Sequence, residues 1–251
     1  MKQRPIALIL LLFILGSVIP VTVEAQTNTL EWAVTVDEEF TYVLQRAYFA
    51  NPSYAVVVQG DLPYILELPV GEKAIMRATE LDAIPSLINE SSQMPLAYCT
   101  LVRANDSVPI ATNQTGFVVP IGDWNFLTEI ANITGLQGVT LIDTTDEWGT
   151  VGTGSYQAGD GSVISIYIEI RFEKENGTLN YLRHRYTSLD TDLIDVVLVN
   201  WHQGMPTVIG SEIQLSTIII LVIGGVAGLI IAFFVIRWYK NKKPLVQRLG
   251  E

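Results

Sequence analysis

Val163-Ile164-Ser165-Ile166-Tyr167-Ile168-Glu169-Ile170-Arg171-Phe172-Glu173-Lys174-Glu175-Asn176-Gly177-Thr178-Leu179-Asn180-Tyr181-Leu182-Arg183-His184-Arg185-Tyr186 is the stretch that decides the fold. Ile164, Ile166, Ile168, Ile170 and Phe172 alternate with Ser165, Tyr167, Glu169, Arg171 and Glu173. A period of two sends these sets to opposite faces of a strand, one dry and one wet. Asn176-Gly177 then supplies residues suited to a tight turn, so a second strand returns antiparallel. Two registers compete. A three-residue loop of Glu175, Asn176 and Gly177 sets Ile170 opposite Leu182, Ile166 opposite Tyr186 and His184 opposite Ile168 on the dry face, with Glu169 opposite Arg183 on the wet one. A two-residue loop sets Ile170 opposite Arg183 and Ile168 opposite Arg185, burying two cations. Unpaired buried charge is costly, so the first register is expected, with Asn176 at an accessible hairpin tip.

The same period recurs outward from this hairpin. Trp32, Val34 and Val36, then Phe40, Tyr42 and Leu44, then Leu96, Tyr98, Thr100 and Val102 read as further strands. Leu193 to Trp201 is apolar on both faces, as a central strand covered on each side should be. Asp123 can cap a helix over Trp124 to Thr134, with Phe126, Leu127, Ile130 and Ala131 on one face and Gly135 closing it. A second helix is expected to begin near Leu81 and end before Pro95. Gly152 to Ser162 reads as a Gly-rich hairpin connection. The expected fold class is mainly β (α+β): an antiparallel, curved sheet with one or two inserted helices, followed by one C-terminal transmembrane helix.

The apolar residues, 49% of the 251, concentrate at the two ends. Lys2 and Arg4 precede an unbroken apolar run from Ile6 to Leu15, then Gly16, Ser17 and Pro20 lead to Val23-Glu24-Ala25, the layout of a secretory signal peptide over 1–25. Leu215 to Ile236 carries no charge, and its 22 residues reach ~33 Å as a helix, enough to cross the hydrocarbon core. Arg237, Trp238, Tyr239, Lys240, Lys242 and Lys243 follow, an aromatic and basic boundary of the cytoplasmic side. The domains are therefore a signal peptide (1–25), an extracellular β-rich domain (26–214), a single span (215–236) and a basic cytoplasmic tail (237–251). The implied location is the cell membrane, crossed once, with the domain outside. The partners this implies are the lipid bilayer and a further surface or envelope component whose identity the residues leave open. Gly224 and Gly228, four apart in the span, are the packing positions of a homodimer formed through that helix.

Residues 26–214 hold 24 acidic and 8 basic side chains, about −16 in charge, while the tail after Ile236 is about +4. Such an acidic domain is no partner for nucleic acid, which is bound through clustered Lys and Arg. Cys99 is the single cysteine, so no disulfide staples the domain, and its place between Ala97 and Leu101 at strand spacing marks it as a small buried hydrophobe. Five Asn-x-Ser/Thr sequons, at Asn89, Asn105, Asn113, Asn132 and Asn176, exceed what eleven asparagines would give by chance. All fall between signal and span, as a glycosylated exterior requires.

The residues form no catalytic constellation, and they imply neither cofactor nor metal. Gly152 to Gly161 lacks the Gly-Lys-Ser/Thr ending of a phosphate loop and the Gly-x-Ser-x-Gly of a hydrolase elbow. His184 and His202 stand at no ligand spacing. Asp143, Asp146 and Glu147, and Asp190, Asp192 and Asp195, form two acid clusters, neither matching the twelve-residue calcium loop, and both read as solvated turns.

Arg171 to Tyr181, with Trp32 and Phe40-Thr41-Tyr42 near the start of the domain and the terminal span, resembles uncharacterised archaeal membrane-anchored surface proteins, the choice-of-anchor S family of mainly Asgard archaea. The resemblance implies an anchored β architecture and no activity. Three functions are weighed. The foremost is a non-catalytic binding or envelope-structural module at the cell surface, not an enzyme. The next is a carrier of lipid or another hydrophobic ligand, in an apolar pocket between sheet and helix lined by Ile164, Ile166, Ile168, Ile170, Phe172, His184 and Tyr186. The third is a membrane-bound enzyme, which would need the acid clusters to converge.

Overall fold

Strands that are neighbours in sequence pair antiparallel, and here two such meanders are joined through their first and last strands. The structure, a computed structural model, describes residues 29–210. The strands are β1 (Glu39–Phe49), β2 (Lys73–Leu81), β3 (Ala97–Arg103), β4 (Pro109–Gln114), β5 (Val139–Asp143), β6 (Glu147–Gln157), β7 (Val163–Glu173), β8 (Leu179–Ser188) and β9 (Thr191–Asn200). They form one open antiparallel sheet in the order β4-β3-β2-β1-β9-β8-β7-β6-β5. Helix α1 (Ala55–Gln59), flanked by short 3-10 turns, lies between β1 and β2, and α2 (Trp124–Ile130) lies in the connection from β4 to β5. The protein is thus mainly β with few helices. The signal segment, the Leu215 to Ile236 span with Gly224 and Gly228, and the tail lie outside the described residues. Among the described residues no helix is long and apolar enough to cross a membrane.

The inward residues of the strands build one core with both helical insertions. Tyr42, Leu44, Met76, Leu101 and Leu198 are fully buried with Val58, Tyr64 and Leu68 from the segment after β1, and with Phe126 and Leu127 of α2. The Tyr42 hydroxyl, buried at the centre, donates to the Leu179 carbonyl at 2.8 Å, and its ring meets Phe117 edge-on. Asp123 caps α2 by accepting from the Phe126 amide, and the Trp148 indole donates to the Thr128 hydroxyl, tying the helix to β6. A second, smaller cluster covers the sheet's other face at its centre: Val43, Val197 and Val199 lie under Tyr181, Trp201 and Ile209. The strand predicted to be covered on both faces is therefore β9, in mid-sheet.

The β7–β8 pair takes the expected register, with Ile170 opposite Leu182, Ile168 opposite His184, Ile166 opposite Tyr186 and Glu169 opposite Arg183. Its loop is one residue longer than expected. The Glu173 amide donates to the Thr178 carbonyl, leaving Lys174 to Gly177 as a four-residue loop, and Phe172 pairs with Leu179 while Arg171 pairs with Tyr181. Asn180 is the extra residue of that bulge, which absorbs the difference.

Other expectations are corrected. Trp32 to Val36 is not a strand: Glu38 accepts from the Thr35 amide, Asp37 takes φ 71°, and the chain turns before β1 while Val34 still buries itself. The helix expected from Leu81 is absent. Leu81 stays in β2 opposite Ala97, and Pro85 disfavours helical backbone at Ile84. Helix α2 stops at Ile130, and Asn132 takes a left-handed conformation before a 3-10 turn over Ile133–Gly135. The Gly-rich segment is mostly strand β6, and only Ala158 to Ser162 turns. Earlier in β6, glycine is needed at position 149, because a side chain on Gly149 would run into the Ile170 carbonyl of β7.

His184 lies buried on the core face between Ile168 and Val196, with Nδ1 unpartnered, and burial pushes its pKa down to about 4 from 6.5. The unfolded chain takes up this proton near pH 6.5 and the folded chain only near 4, so acidification across that window drains stability. The contribution amounts to ~3 kcal/mol. Urea unfolding followed from pH 7 to 4 is expected to show a shallower loss in His184→Leu than in the parent. Identical pH slopes would mean that His184 titrates normally.

Candidate functional site

Where the core face is fully packed, the opposite face of β6 to β9 carries polar side chains in cross-strand rows. Ser155, Ser165 and Thr187 form one row; Thr153, Tyr167, Arg185 and Asp195 the next; Val151, Glu169, Arg183 and Val197 the third; Gly149, Arg171, Tyr181 and Val199 the fourth. Strand alternation puts these residues on one face. The β6 members of the rows, together with Ser165 and Thr187, are small, whereas Tyr167, Arg183 and Arg185 beside them are long. The step between them leaves a groove of about 730 Å³ lined by Thr153, Ser155, Ser165, Tyr167, Arg185 and Thr187, with Arg183 at its inner end.

Ion pairs hold the groove wall. Asp195, only 2% exposed, accepts a two-pronged contact from Arg183 at 2.9 and 3.0 Å, and Arg46 Nε stands 2.7 Å from it. Arg185 Nε donates to Asp192 at 2.7 Å, and Arg46 reaches the same carboxylate at 3.7 Å. The hydrogen bond to Asp195 raises the Arg183 pKa further. Buried Glu169 accepts from the Tyr167 hydroxyl and from Arg171 Nε, both at 2.7 Å. Arg171 continues to Glu147 at 3.2 Å, and Glu147 also accepts from Asn180. Burial, then the Glu169 contact, pushes the Tyr167 phenol up to about 12, so it stays a donor. The arrangement fixes long side chains in place and presents hydrogen-bonding groups along an open trough. It can bind, and it holds every ionised group in a pair.

The residues expected to line an apolar pocket face the other side. Ile168, Phe172, His184 and Tyr186 are buried in or beside the main core, and Ile164, Ile166 and Ile170 pack against it half-buried. The acid clusters are not free turns. Asp143 pairs with Lys174, Glu147 with Arg171, Asp192 with Arg185 and Asp195 with Arg183. Among the described residues no three of His, Cys, Asp or Glu gather around a metal-sized point. His202 is exposed, 3.6 Å from Glu173. Cys99 is buried, and burial pushes its thiol up to about 12.

Asn105, Asn113 and Asn132 are exposed, and Asn89 is half-buried. Asn176 does not stand on an accessible tip. Its amide donates to Glu173, its carbonyl accepts from the Thr178 amide and hydroxyl, and Thr178 is fully buried, bridged to Val118.

The arginine–aspartate lattice is not visible in the hairpin register, which sets Arg183 opposite Glu169. Its signal was present: Arg183-x-Arg185 and Asp192-x-x-Asp195 flank a two-residue turn. That turn is Leu189-Asp190, both at positive φ, and Leu189 is 94% exposed. Leucine is not a residue that announces such a turn. The chain matches no protein-family model, no curated protein and no solved structure.

Removing the carboxylate of Asp195 would leave Arg183 and Arg46 facing one another over a buried position. Asp195→Ala is expected to lower the unfolding free energy by ~3 kcal/mol in urea titration. A change within a few tenths would show that the pair is dispensable.

Proposed function

We propose that this chain is a single-span, membrane-anchored cell-surface protein acting as a non-catalytic binding module. The signal-like 1–25 segment, the uncharged Leu215 to Ile236 run with its basic flank, and the excess of sequons support the location. So does the resemblance to archaeal anchored surface proteins of the choice-of-anchor S type. The observation that carries the binding role is the groove over β6, β7 and β8. One face of the sheet spends its side chains on a core with both helices, while this region of the other stays open, with side chains pre-set by ion pairs. Prior ordering reduces the entropic cost of binding.

Glycans belong to this reading on Asn105, Asn113 and Asn132, which are exposed. Peptide mass mapping of the chain from its native membrane is expected to find them modified and Asn176 bare, because the Asn176 amide is committed to Glu173. A fully modified Asn176 would mean that the hairpin tip is free when the glycan is added.

The groove itself is tested by filling it. Ser165 lies exposed in the middle strand of the trough, so Ser165→Trp places an indole in it with little effect on the core. Membranes bearing the full chain are expected to retain soluble envelope polysaccharide at least about tenfold better than membranes bearing Ser165→Trp, a difference of one or two hydrogen bonds to charge. Equal retention would reject the groove as the contact face.

A further inference from the structure

The hydrogen-bonding groups of the groove divide into those already committed and those left over. Arg183 gives two nitrogens to Asp195, Tyr167 gives its hydroxyl to Glu169, and Thr153 gives its own to the Gly138 carbonyl at 3.1 Å. The hydroxyls of Ser155, Ser165 and Thr187 have no partner among the described residues, although all three line the groove. Arg185 is bonded through Nε alone, and its side chain is 41% exposed, so both terminal nitrogens remain open to a ligand.

These leftover groups have a fixed layout. Ser165 pairs with Ser155 on one side and Thr187 on the other, so their three hydroxyl-bearing positions cross the strands ~5 Å apart. Arg185 lies two residues along β8 from Thr187, about 7 Å away. The Nε contact to Asp192 holds the guanidinium plane, leaving the edge that grips an oxyanion with two parallel bonds. A ligand matching both parts carries several hydroxyls on a rigid frame and a carboxylate at one side.

From this the geometry points to a sugar acid as the ligand: a uronic-acid unit whose carboxylate meets Arg185 and whose ring hydroxyls bond Ser155, Ser165 and Thr187. The inference rests on the groove being the binding face. Other ligand classes fit less well. A peptide strand adds to a sheet edge through backbone groups, whereas Ser165, Arg185 and Thr187 stand on β7 and β8, which are paired on both sides, and offer side chains from the sheet's face. Nucleic acid needs a basic field, and residues 26–214 are acidic overall. That same acidity opposes a long polyanion but matters little for one carboxylate in direct contact, because salt screens charges beyond about 8 Å. The ligand is therefore recognised one or two sugar units at a time.

Calorimetric titration of the full chain in lipid nanodiscs with digalacturonate, its neutral counterpart digalactose, and acetate tests the assignment. Digalacturonate is expected to bind at least about tenfold more tightly than digalactose, as a hydrogen bond to a charged group allows, and acetate more weakly than digalacturonate. Arg185→Gln should bring digalacturonate down to the level of digalactose. Its Asp192 keeps Arg46 as a partner, and an unchanged melting temperature confirms the fold. The Ser155→Ala/Ser165→Ala pair, exposed and remote from the core, should weaken both sugars by a similar factor.

Equal binding of both sugars, unaffected by Arg185→Gln but abolished by Ser165→Trp, overturns the sugar-acid assignment and leaves the groove as the binding face. Digalacturonate binding that survives Ser165→Trp overturns both. Binding of neither sugar overturns the ligand class, and polysaccharide retention by Ser165→Trp membranes then decides the groove separately.

Discussion

The pairing of β1 with β9 is the contact on which everything else depends. It joins strands roughly 150 residues apart in sequence, and without it the chain would be two separate meanders of four and five strands. Tyr42, Val43 and Leu44 on one side and Val196, Val197 and Leu198 on the other are almost entirely buried, with apolar neighbours on both faces. Neither meander alone could cover these residues. The entropic cost of closing so long a loop falls on this pair, and a fold dominated by non-local pairing is expected to form slowly. With a single cysteine, the domain has no internal disulfide and relies on this burial.

The same central pair organises the polar face. Arg46 comes from β1, just past the bulge between Leu44 and Arg46, and meets Asp192 and Asp195 of β9, which in turn hold Arg185 and Arg183 of β8. The bulge matters because it changes which side of β1 faces this network. Val43 sits in the small apolar cluster, and Arg46 follows it onto the same face after an odd number of residues. A charge lattice and an apolar patch thus share one face of the central strands, and the groove begins where the patch ends. The edges are handled differently. β5 has five residues, and β4 begins with Pro109, contains Asn113 at positive φ and pairs irregularly with β3, features that discourage another strand from adding.

What was legible in the sequence follows from how local its cause was. The β7–β8 register was readable because a one-residue slip would have buried two arginines, a penalty visible in the residues themselves. The burial of β9 on both faces and the Asp123 cap were readable for the same reason. The strand character of Gly152 to Gln157 was hidden because its glycines and small polar residues carry no apolar alternation, and its pairing is set by β7, a tertiary requirement with no local trace. The helical turns from Pro52 to Leu66 were missed because the runs are too short to show a period. For the candidate site, the alternation of polar residues on β7 and β8 was plain. The pairing of Arg183 with Asp195 was not, since it required knowing that β9 returns through a turn built on Leu189 and lies beside β8.

The way the chain leaves the sheet also has a mechanical meaning. After β9 it does not depart directly: the Trp201 amide donates to Thr41, Gln45 donates to the Pro206 carbonyl, and the Ile209 amide donates to Gln45, while Ile209 covers Val43 and Val199. The last described residues are thus stitched to β1 in mid-sheet. Tension on the chain beyond Gly210 would enter at the middle strands, where the burial is greatest, and would have to break this stitching before it reached β9. An attachment at β4 or β5 would instead let the sheet peel from its margin one strand at a time. The fold places its exit where a load is shared by both meanders at once.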